Sequence, residues 1–135
     1  MNNDIFNSIG IFILITIISH IYTKPYNPCF NDAILGRLVL FLHDIVFVYI
    51  AFGSIIFKNY SIHLLFLILI LILWYFNKGR CVITIYYNYL CNNKKKVKYL
   101  NFISILTNNN IIFRYLAMFS LIGFDLYNIY KKIKY

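Results

Sequence analysis

Acidic residues are scarce in this chain, and glutamate is absent. Four aspartates stand against thirteen lysines and arginines in 135 residues. Charged residues make up 13% of the sequence, about half of the roughly 25% that is usual in soluble domains. Acid–base catalysis commonly depends on a histidine, glutamate or aspartate at the reacting group. A chain with so few acidic residues offers few candidates for that role, and we predict that it is not an enzyme.

Sequence motifs that hold phosphates, metals or nucleophiles are missing as well. The five glycines form neither a GxGxxG sequence nor a P-loop, and no GxSxG or HExxH sequence occurs. The filter sequence of potassium channels is also absent. We therefore predict no cofactor, no metal and no catalytic residues.

Apolar residues, in contrast, are abundant. They make up 61% of the chain, and the mean hydropathy is +0.71, whereas roughly 45–50% apolar residues are usual. A small domain has too much surface for its volume to bury so many apolar side chains. The excess is expected to face lipid. We predict an integral membrane protein that forms a single domain over residues 1–135.

Four continuous apolar runs approach the roughly 20 residues, within a range of about 17–25, that a membrane helix needs. The runs lack the alternation of barrel strands, and a backbone in lipid must satisfy its own hydrogen bonds, which favours helices. The first run follows no basic residue and precedes no cleavage site, so we interpret it as a retained span. The predicted fold is an all-α bundle of four transmembrane helices at about residues 5–22, 34–57, 60–76 and 111–130.

A basic segment, residues 77–110, connects the third and fourth runs. Its short apolar piece Tyr99–Leu106 either forms a helix at the membrane interface or belongs to a mobile loop, and the sequence favours neither. In the first case a lysine cluster would contact anionic lipid headgroups. That cluster comprises Lys94, Lys95, Lys96 and Lys98. Because the basic residues gather at the ends of apolar runs, we expect lipid and not nucleic acid as the partner.

The basic residues also predict an orientation. Four spans put residues 23–33 and 77–110 on one side with seven lysines and arginines, and the termini with residues 58–59 on the other side with four. The more basic side is expected to face the cytoplasm, where thiols stay reduced. Cys29, Cys81 and Cys91 all fall on that side, so we predict free thiols. The inverse orientation would instead allow a Cys81–Cys91 disulfide.

Ionisable side chains inside the predicted spans are the candidate functional residues: His43, Asp44, Arg114 and Asp125. Asp44 is about ten residues from the nearest end of its run, near the bilayer midplane, where an ionised aspartate costs roughly 2.5–3.5 kcal/mol. It should therefore be either protonated or bonded to a partner, and the candidate partners are His43 of a neighbouring subunit, His63, Arg114 or a water-filled cavity. Asp44 then either handles protons or ions or fixes helix packing through hydrogen bonds, and we favour the second role.

The segment "WYFNKGRCVIT", Trp74 to Thr84, resembles the end of a span in small membrane proteins of large DNA viruses, with a Trp, a short polar linker and Cys-x-(Ile/Leu)-(Ser/Thr). It is also similar to a bacterial family of small inner-membrane proteins with His and Gly in one span and Trp…Cys-Pro-Leu-Thr at the end of the next. Here Val82 replaces the proline, and the first span is additional. The corresponding residues are His43, Gly53, Trp74, Cys81 and Thr84. The resemblance implies a multi-helix membrane protein and a viral source, and it implies no activity.

Two function hypotheses follow from these observations. The first is a non-catalytic structural or scaffolding component of a membrane, in a virion or a host internal membrane, which contacts lipid and further copies or other membrane proteins. The alternative is a small transporter or channel subunit that handles protons or ions through Asp44 and His43. A thiol enzyme that uses Cys81 is the least favoured class.

Overall fold

The computed structural model describes residues 2–27, 34–91 and 110–134. Helices make up nearly all of these residues, and no strand occurs among them, which confirms the all-α prediction. A short 3-10 helix, Lys24–Tyr26, follows the first helix. The α-helices are α1 (Asn2–Thr23), α2 (Ile34–Phe57), α3 (Tyr60–Phe76), α4 (Val82–Leu90) and α5 (Ile111–Lys134).

The four predicted apolar runs coincide with α1, α2, α3 and α5. Helices α2 and α3 begin and end at the predicted residues, whereas α1 and α5 continue into polar sequence. Charges of the favourable sign for the helix dipole stabilise both extensions. They are Asp4 in the first turn of α1 and Lys131, Lys132 and Lys134 in the last turn of α5.

Helix α4 is an element that the sequence does not predict. It has nine residues, too few to cross a membrane, and it forms where its Tyr87 packs on Val39 and Leu40 of α2. The predicted interfacial helix Tyr99–Leu106 lies outside the described residues. So do Cys29 and the lysine cluster of Lys94, Lys95, Lys96 and Lys98.

Two tight turns determine where α3 begins and ends. Lys58 has a left-handed φ of 53°, a conformation that commonly ends helices, and it ends α2. Asn59 then caps α3, because its side chain accepts a backbone N–H of the first turn at 3.4 Å. After α3, Gly79 has a φ of +75°, and its N–H donates to the Trp74 carbonyl at 2.7 Å. Glycine permits this backbone conformation at no steric cost.

Helices α1 and α2 form one antiparallel pair. The Ser8 hydroxyl donates to the Ile56 carbonyl at 3.1 Å near one end of the pair. His20 contacts Asp44 twelve residues further along each helix. The two helices therefore stay in register over three turns.

Helices α3 and α5 form the second antiparallel pair, and α2 joins the two pairs through its contact with α3. His63 contacts Asp125 near one end of this second pair. Trp74 contacts Arg114 eleven residues further along each helix. Nearly the whole length of α3 therefore lies beside α5.

Helix α2 extends past the end of α1. Because Asp44 contacts His20, which lies in the last turn of α1, the first turns of α2 continue beyond the end of α1. Helix α4 covers this extension where Tyr87 packs on Leu40. Asp44 is thus central in its own helix, but it lies near one end of the α1–α2 pair.

The described chain is more polar inside than outside. Large apolar side chains face outward along the helices, among them Phe6, Tyr75 and Ile133, each at least three-quarters exposed. The buried polar side chains are Thr16, Ser19, Thr23, Asn27, His43, Asp44, Ser54, His63 and Asp125. Soluble proteins rarely expose so much contiguous apolar surface, whereas lipid-facing helices must.

Within residues 2–27, 34–91 and 110–134, three helices are long and apolar enough to cross a membrane: Asp4–Tyr26, Ile34–Phe57 and Ile111–Lys134. The range Asp4–Tyr26 includes the 3-10 turn after α1. Helix α3 is equally apolar in character but shorter, at 17 residues. The chain therefore has the helices of a multi-pass membrane protein.

Candidate functional site

Asp44 on α2 is fully buried and makes its hydrogen bonds to α1. Nδ1 of His20 lies 2.8 Å from Asp44 Oδ2, and the Thr23 hydroxyl donates to the same oxygen at 3.1 Å. The Ser19 hydroxyl donates to Oδ1 at 3.4 Å. Both carboxyl oxygens therefore have partners. We call these four residues, Ser19, His20, Thr23 and Asp44, the Asp44 cluster.

Asp125 on α5 is the second buried aspartate, and its partner is His63 in the first turn of α3. Nδ1 of His63 lies 2.6 Å from Asp125 Oδ2, and the two side chains are 1% and 0% exposed. The other imidazole nitrogen, Nε2, lies 3.0 Å and 3.2 Å from the carbonyl oxygens of Tyr49 and Ile50 on α2. Among the described residues, Asp125 Oδ1 has no hydrogen-bond partner. The His63–Asp125 pair therefore joins three helices.

The contacts of His63 restrict where its protons are. A carbonyl oxygen can only accept a hydrogen bond, so Nε2 must carry a proton to bond to the carbonyls of Tyr49 and Ile50. One further proton is then shared between Nδ1 and Asp125 Oδ2. The pair is either an imidazolium with a carboxylate or a neutral imidazole with a protonated carboxyl. Both arrangements have no net charge, which limits the cost of burying them.

Gly53 on α2 allows His63 to come this close. A Cβ at Gly53 would lie 3.0 Å from Cδ2 of His63 and 2.9 Å from Cδ2 of Tyr49. The Tyr49 ring meets the imidazole edge-on, with the ring centroids 5.4 Å apart. A glycine at this point therefore brings the α2 backbone within hydrogen-bonding reach of the imidazole.

Helix α2 connects the Asp44 cluster with the His63–Asp125 pair. Asp44 and the carbonyls of Tyr49 and Ile50 are five to six residues apart, about 8 Å along the helix axis. His20 lies near the end of α1 and His63 near the start of α3. The two Asp–His contacts therefore lie about one and a half turns apart along α2, the first toward the end of α1 and the second toward the start of α3.

The four predicted intramembrane residues do not form one site. Asp44 and Asp125 each contact a histidine on another helix. His43 is buried, and its Nδ1 has no hydrogen-bond partner within the described chain. The guanidinium carbon of Arg114 lies 5.5 Å from the centroid of the Trp74 ring, a cation–π geometry.

The residues of the sequence motif have different surroundings. Trp74 packs edge-on against Tyr115, 5.9 Å between ring centroids, at one end of the α3–α5 pair. Cys81 precedes the first residue of α4, and Thr84 lies within that helix. No contact described here joins Trp74, Cys81 and Thr84 into a common site.

The cysteines differ from the prediction at one position. Cys81 has a free thiol, as predicted. Cys91 is disulfide-bonded, so the prediction of a free thiol is wrong there. The alternative Cys81–Cys91 disulfide does not form, since Cys81 is free. A sequence spacing does not reveal which thiols approach within bonding distance in the fold.

Sequence reasoning missed His20, the partner of Asp44, although a signal for it was present. Thr16, Ser19, Thr23 and Asn27 recur at intervals of three or four residues in the first apolar run and its end. Residues so spaced share one helix face, and all four are buried. A polar stripe on a membrane helix indicates that this face contacts protein rather than lipid.

No family model, no curated protein and no solved structure matches the chain.

Proposed function

We propose that the chain is a non-catalytic structural or scaffolding protein with four membrane-spanning helices, α1, α2, α3 and α5. The observation that carries this proposal is the use of both buried aspartates in contacts between helices. Each aspartate contacts a histidine of a different helix, and the Asp44 carboxyl accepts hydrogen bonds at both oxygens. Polar groups that form hydrogen bonds between helices in this way stabilise helix association in lipid.

The packing of α3 supports the fourth span. Its 17 residues extend about 25 Å at 1.5 Å per residue, near the lower limit for crossing a bilayer. Its contacts with α5 at His63 and Trp74 put both ends of α3 beside a helix that is long enough to cross. A segment that accompanies a membrane-crossing helix over eleven residues is expected to cross with it.

The resemblance of residues 74–84 to a segment of small viral membrane proteins supports a virion or virus-modified membrane as the location. Within such a membrane, the apolar surface offers contacts to lipid and to further copies or other membrane proteins.

A variant that preserves hydrogen bonding but cannot titrate tests the structural role. The double variant Asp44→Asn/Asp125→Asn keeps an amide at both positions, and an amide both accepts and donates. Placed in the native gene, it should maintain the membrane as the wild type does. The control is Asp44→Leu/Asp125→Leu, which removes the contacts and should fail. An Asn variant that folds but fails to support the membrane would refute the structural proposal.

Proton handling is the second candidate function, and the shared proton of the His63–Asp125 pair favours it. A buried imidazole–carboxyl pair has the chemistry of proton carriers in membranes. Vesicles that contain the purified chain and a pH-sensitive dye test this function directly. We expect no proton flux above that of empty vesicles. A flux that Asp125→Asn abolishes, while the variant remains folded, would establish proton handling instead.

A further inference from the structure

A groove opens at the end of the bundle where the α2–α3 turn meets the last turns of α5. Its volume is about 570 Å³, within the roughly 300–1,000 Å³ that is usual for small-molecule sites. Two lysines, one asparagine and the hydroxyl-bearing residues Tyr60 and Ser61 contribute its polar lining, and apolar side chains line the rest. We call it the basic groove, and its principal residues are Phe57, Lys58, Asn59, Ser61, Lys132 and Ile133.

The charge of the basic groove is uncompensated in the described chain. Lys58 from the α2–α3 turn and Lys132 from α5 both line it, and no acidic residue does. Neither lysine forms an ion pair with a described residue. Asp125, seven residues before Lys132, is paired with His63. Two lysines that line one concave surface attract an anion.

The turn between α2 and α3 determines where the polar side chains of the groove lie. Lys58 has a φ of 53°, and its N–H donates to the Ser54 carbonyl at 3.0 Å. Asn59 accepts a backbone N–H with its side-chain oxygen, which leaves its amide nitrogen as a donor. The exposed Ser61 hydroxyl is a further donor. Ammonium, amide and hydroxyl groups together match the acceptor oxygens of a phosphate.

We propose that the basic groove binds the phosphate group of an anionic phospholipid. Lys58 and Lys132 contact the phosphate oxygens, and Phe57 and Ile133 contact the glycerol and the first methylene groups. The apolar walls favour a lipid, because a free phosphate would leave them in water. This proposal rests on the proposed four-span arrangement, in which this end of the bundle lies at the level of the headgroups.

Lipid retention measured by native mass spectrometry tests the proposal. The full-length chain is released from nanodiscs that contain phosphatidylglycerol and phosphatidylcholine in equal amounts, and the bound lipids are counted. The groove variant is Lys58→Gln/Lys132→Gln. The control is Lys131→Gln/Lys134→Gln, which removes the same charge from neighbouring exposed positions that do not line the groove.

We expect the wild type and the control to retain phosphatidylglycerol in preference to phosphatidylcholine. The groove variant should retain about tenfold less phosphatidylglycerol, since Lys58 and Lys132 line the groove and would contact the bound phosphate, whereas Lys131 and Lys134 contribute only general surface attraction. The single variants Lys132→Gln and Lys131→Gln repeat the comparison at adjacent residues where folding is not at risk. An equal loss in groove and control variants would overturn the proposal, because it would indicate general surface charge.

Three further outcomes are distinguishable. Inorganic phosphate is added as a competitor for the bound phosphatidylglycerol. If it displaces that lipid as effectively as added phosphatidylglycerol does, the groove is a site for free phosphate, and the lipid proposal is overturned. A chain that inserts into nanodiscs but shows no lipid preference would overturn the groove proposal alone. A chain that does not insert at all would overturn the four-span proposal together with it.

Discussion

His63 and Asp125 are joined by a contact of 2.6 Å between Nδ1 and Oδ2 that connects the first turn of α3 with α5. The same imidazole reaches the α2 backbone at Tyr49 and Ile50 through its other nitrogen. One side chain thus links three of the helices. Since α1 contacts α2 through Asp44, the two Asp–His contacts together with the His63 contact to the α2 backbone connect all four long helices.

Removing one member of the His63–Asp125 pair should destabilise the protein more than removing both. Asp125→Leu leaves Nδ1 of His63 unpaired, and His63→Leu leaves a buried carboxyl unpaired, so each should cost about 3–5 kcal/mol of the free energy of unfolding. The double variant His63→Leu/Asp125→Leu should cost less than either single variant, because it leaves no unpaired group in the pair. Unfolding in detergent with increasing dodecyl sulfate measures all four forms. Additive losses would contradict the pairing.

Asp44→Asn should be well tolerated, whereas Asp44→Leu should not. An asparagine can still accept from Ser19 and Thr23, and interhelical hydrogen bonds in membranes contribute on average about 0.6 kcal/mol. Leucine instead removes the acceptor of the buried Ser19 hydroxyl, at about 1–3 kcal/mol for a buried unsatisfied group. It also removes the contact with His20, while the Thr23 hydroxyl keeps its bond to the His20 carbonyl. The same unfolding assay compares the two variants. Equal losses would mean that the Asp44 charge, and not its hydrogen bonds, holds α1 against α2.

Gly53→Ala should destabilise the contact between α2 and α3. Its Cβ would lie 3.0 Å from His63 and 2.9 Å from Tyr49, and forcing extra atoms into a packed interior costs about 1–3 kcal/mol. The matched control is Gly123→Ala on α5, where a Cβ meets nothing within 4 Å. There alanine should be neutral or stabilising by up to about 1 kcal/mol. Similar stabilities of the two variants would contradict the close approach at Gly53.

The lysine distribution and the disulfide at Cys91 predict opposite orientations. Seven basic residues against four favour a cytoplasmic side for residues 77–110, whereas a disulfide persists on an oxidising side. The free thiol of Cys81 lies on the same side of the membrane as Cys91, so its accessibility shows which of the two orientations is correct. We expect a membrane-impermeant thiol reagent to label it in sealed right-side-out vesicles, because a disulfide at Cys91 persists only where the surroundings are oxidising.

The control for orientation uses the opposite end of the bundle. In a Cys81→Ser background, Ile133→Cys provides an exposed thiol on α5. It should be labelled only after the vesicles are permeabilised. The reverse pattern of labelling would restore the cytoplasmic orientation of residues 77–110.

The helices themselves could be predicted from the sequence. Apolar runs as long as 34–57 and 60–76 leave a backbone in lipid no alternative to its own hydrogen bonds. For this reason the bounds of α2 and α3 agree with the runs. Helix α4 could not be predicted in this way, because its nine residues are stabilised by the packing of Tyr87 on Val39 and Leu40 and not by their own apolar length.

The presence of a buried partner for Asp44 was also determined by the sequence, since a carboxyl in an apolar run cannot remain alone. Only the tertiary structure decided that the partner is His20 and not His63 or Arg114. The reason is the offset between α1 and α2, which puts Asp44 beside the last turns of α1. That offset depends on contacts between helices, such as the hydrogen bond from the Ser8 hydroxyl to the Ile56 carbonyl, and no periodicity within a single helix encodes it.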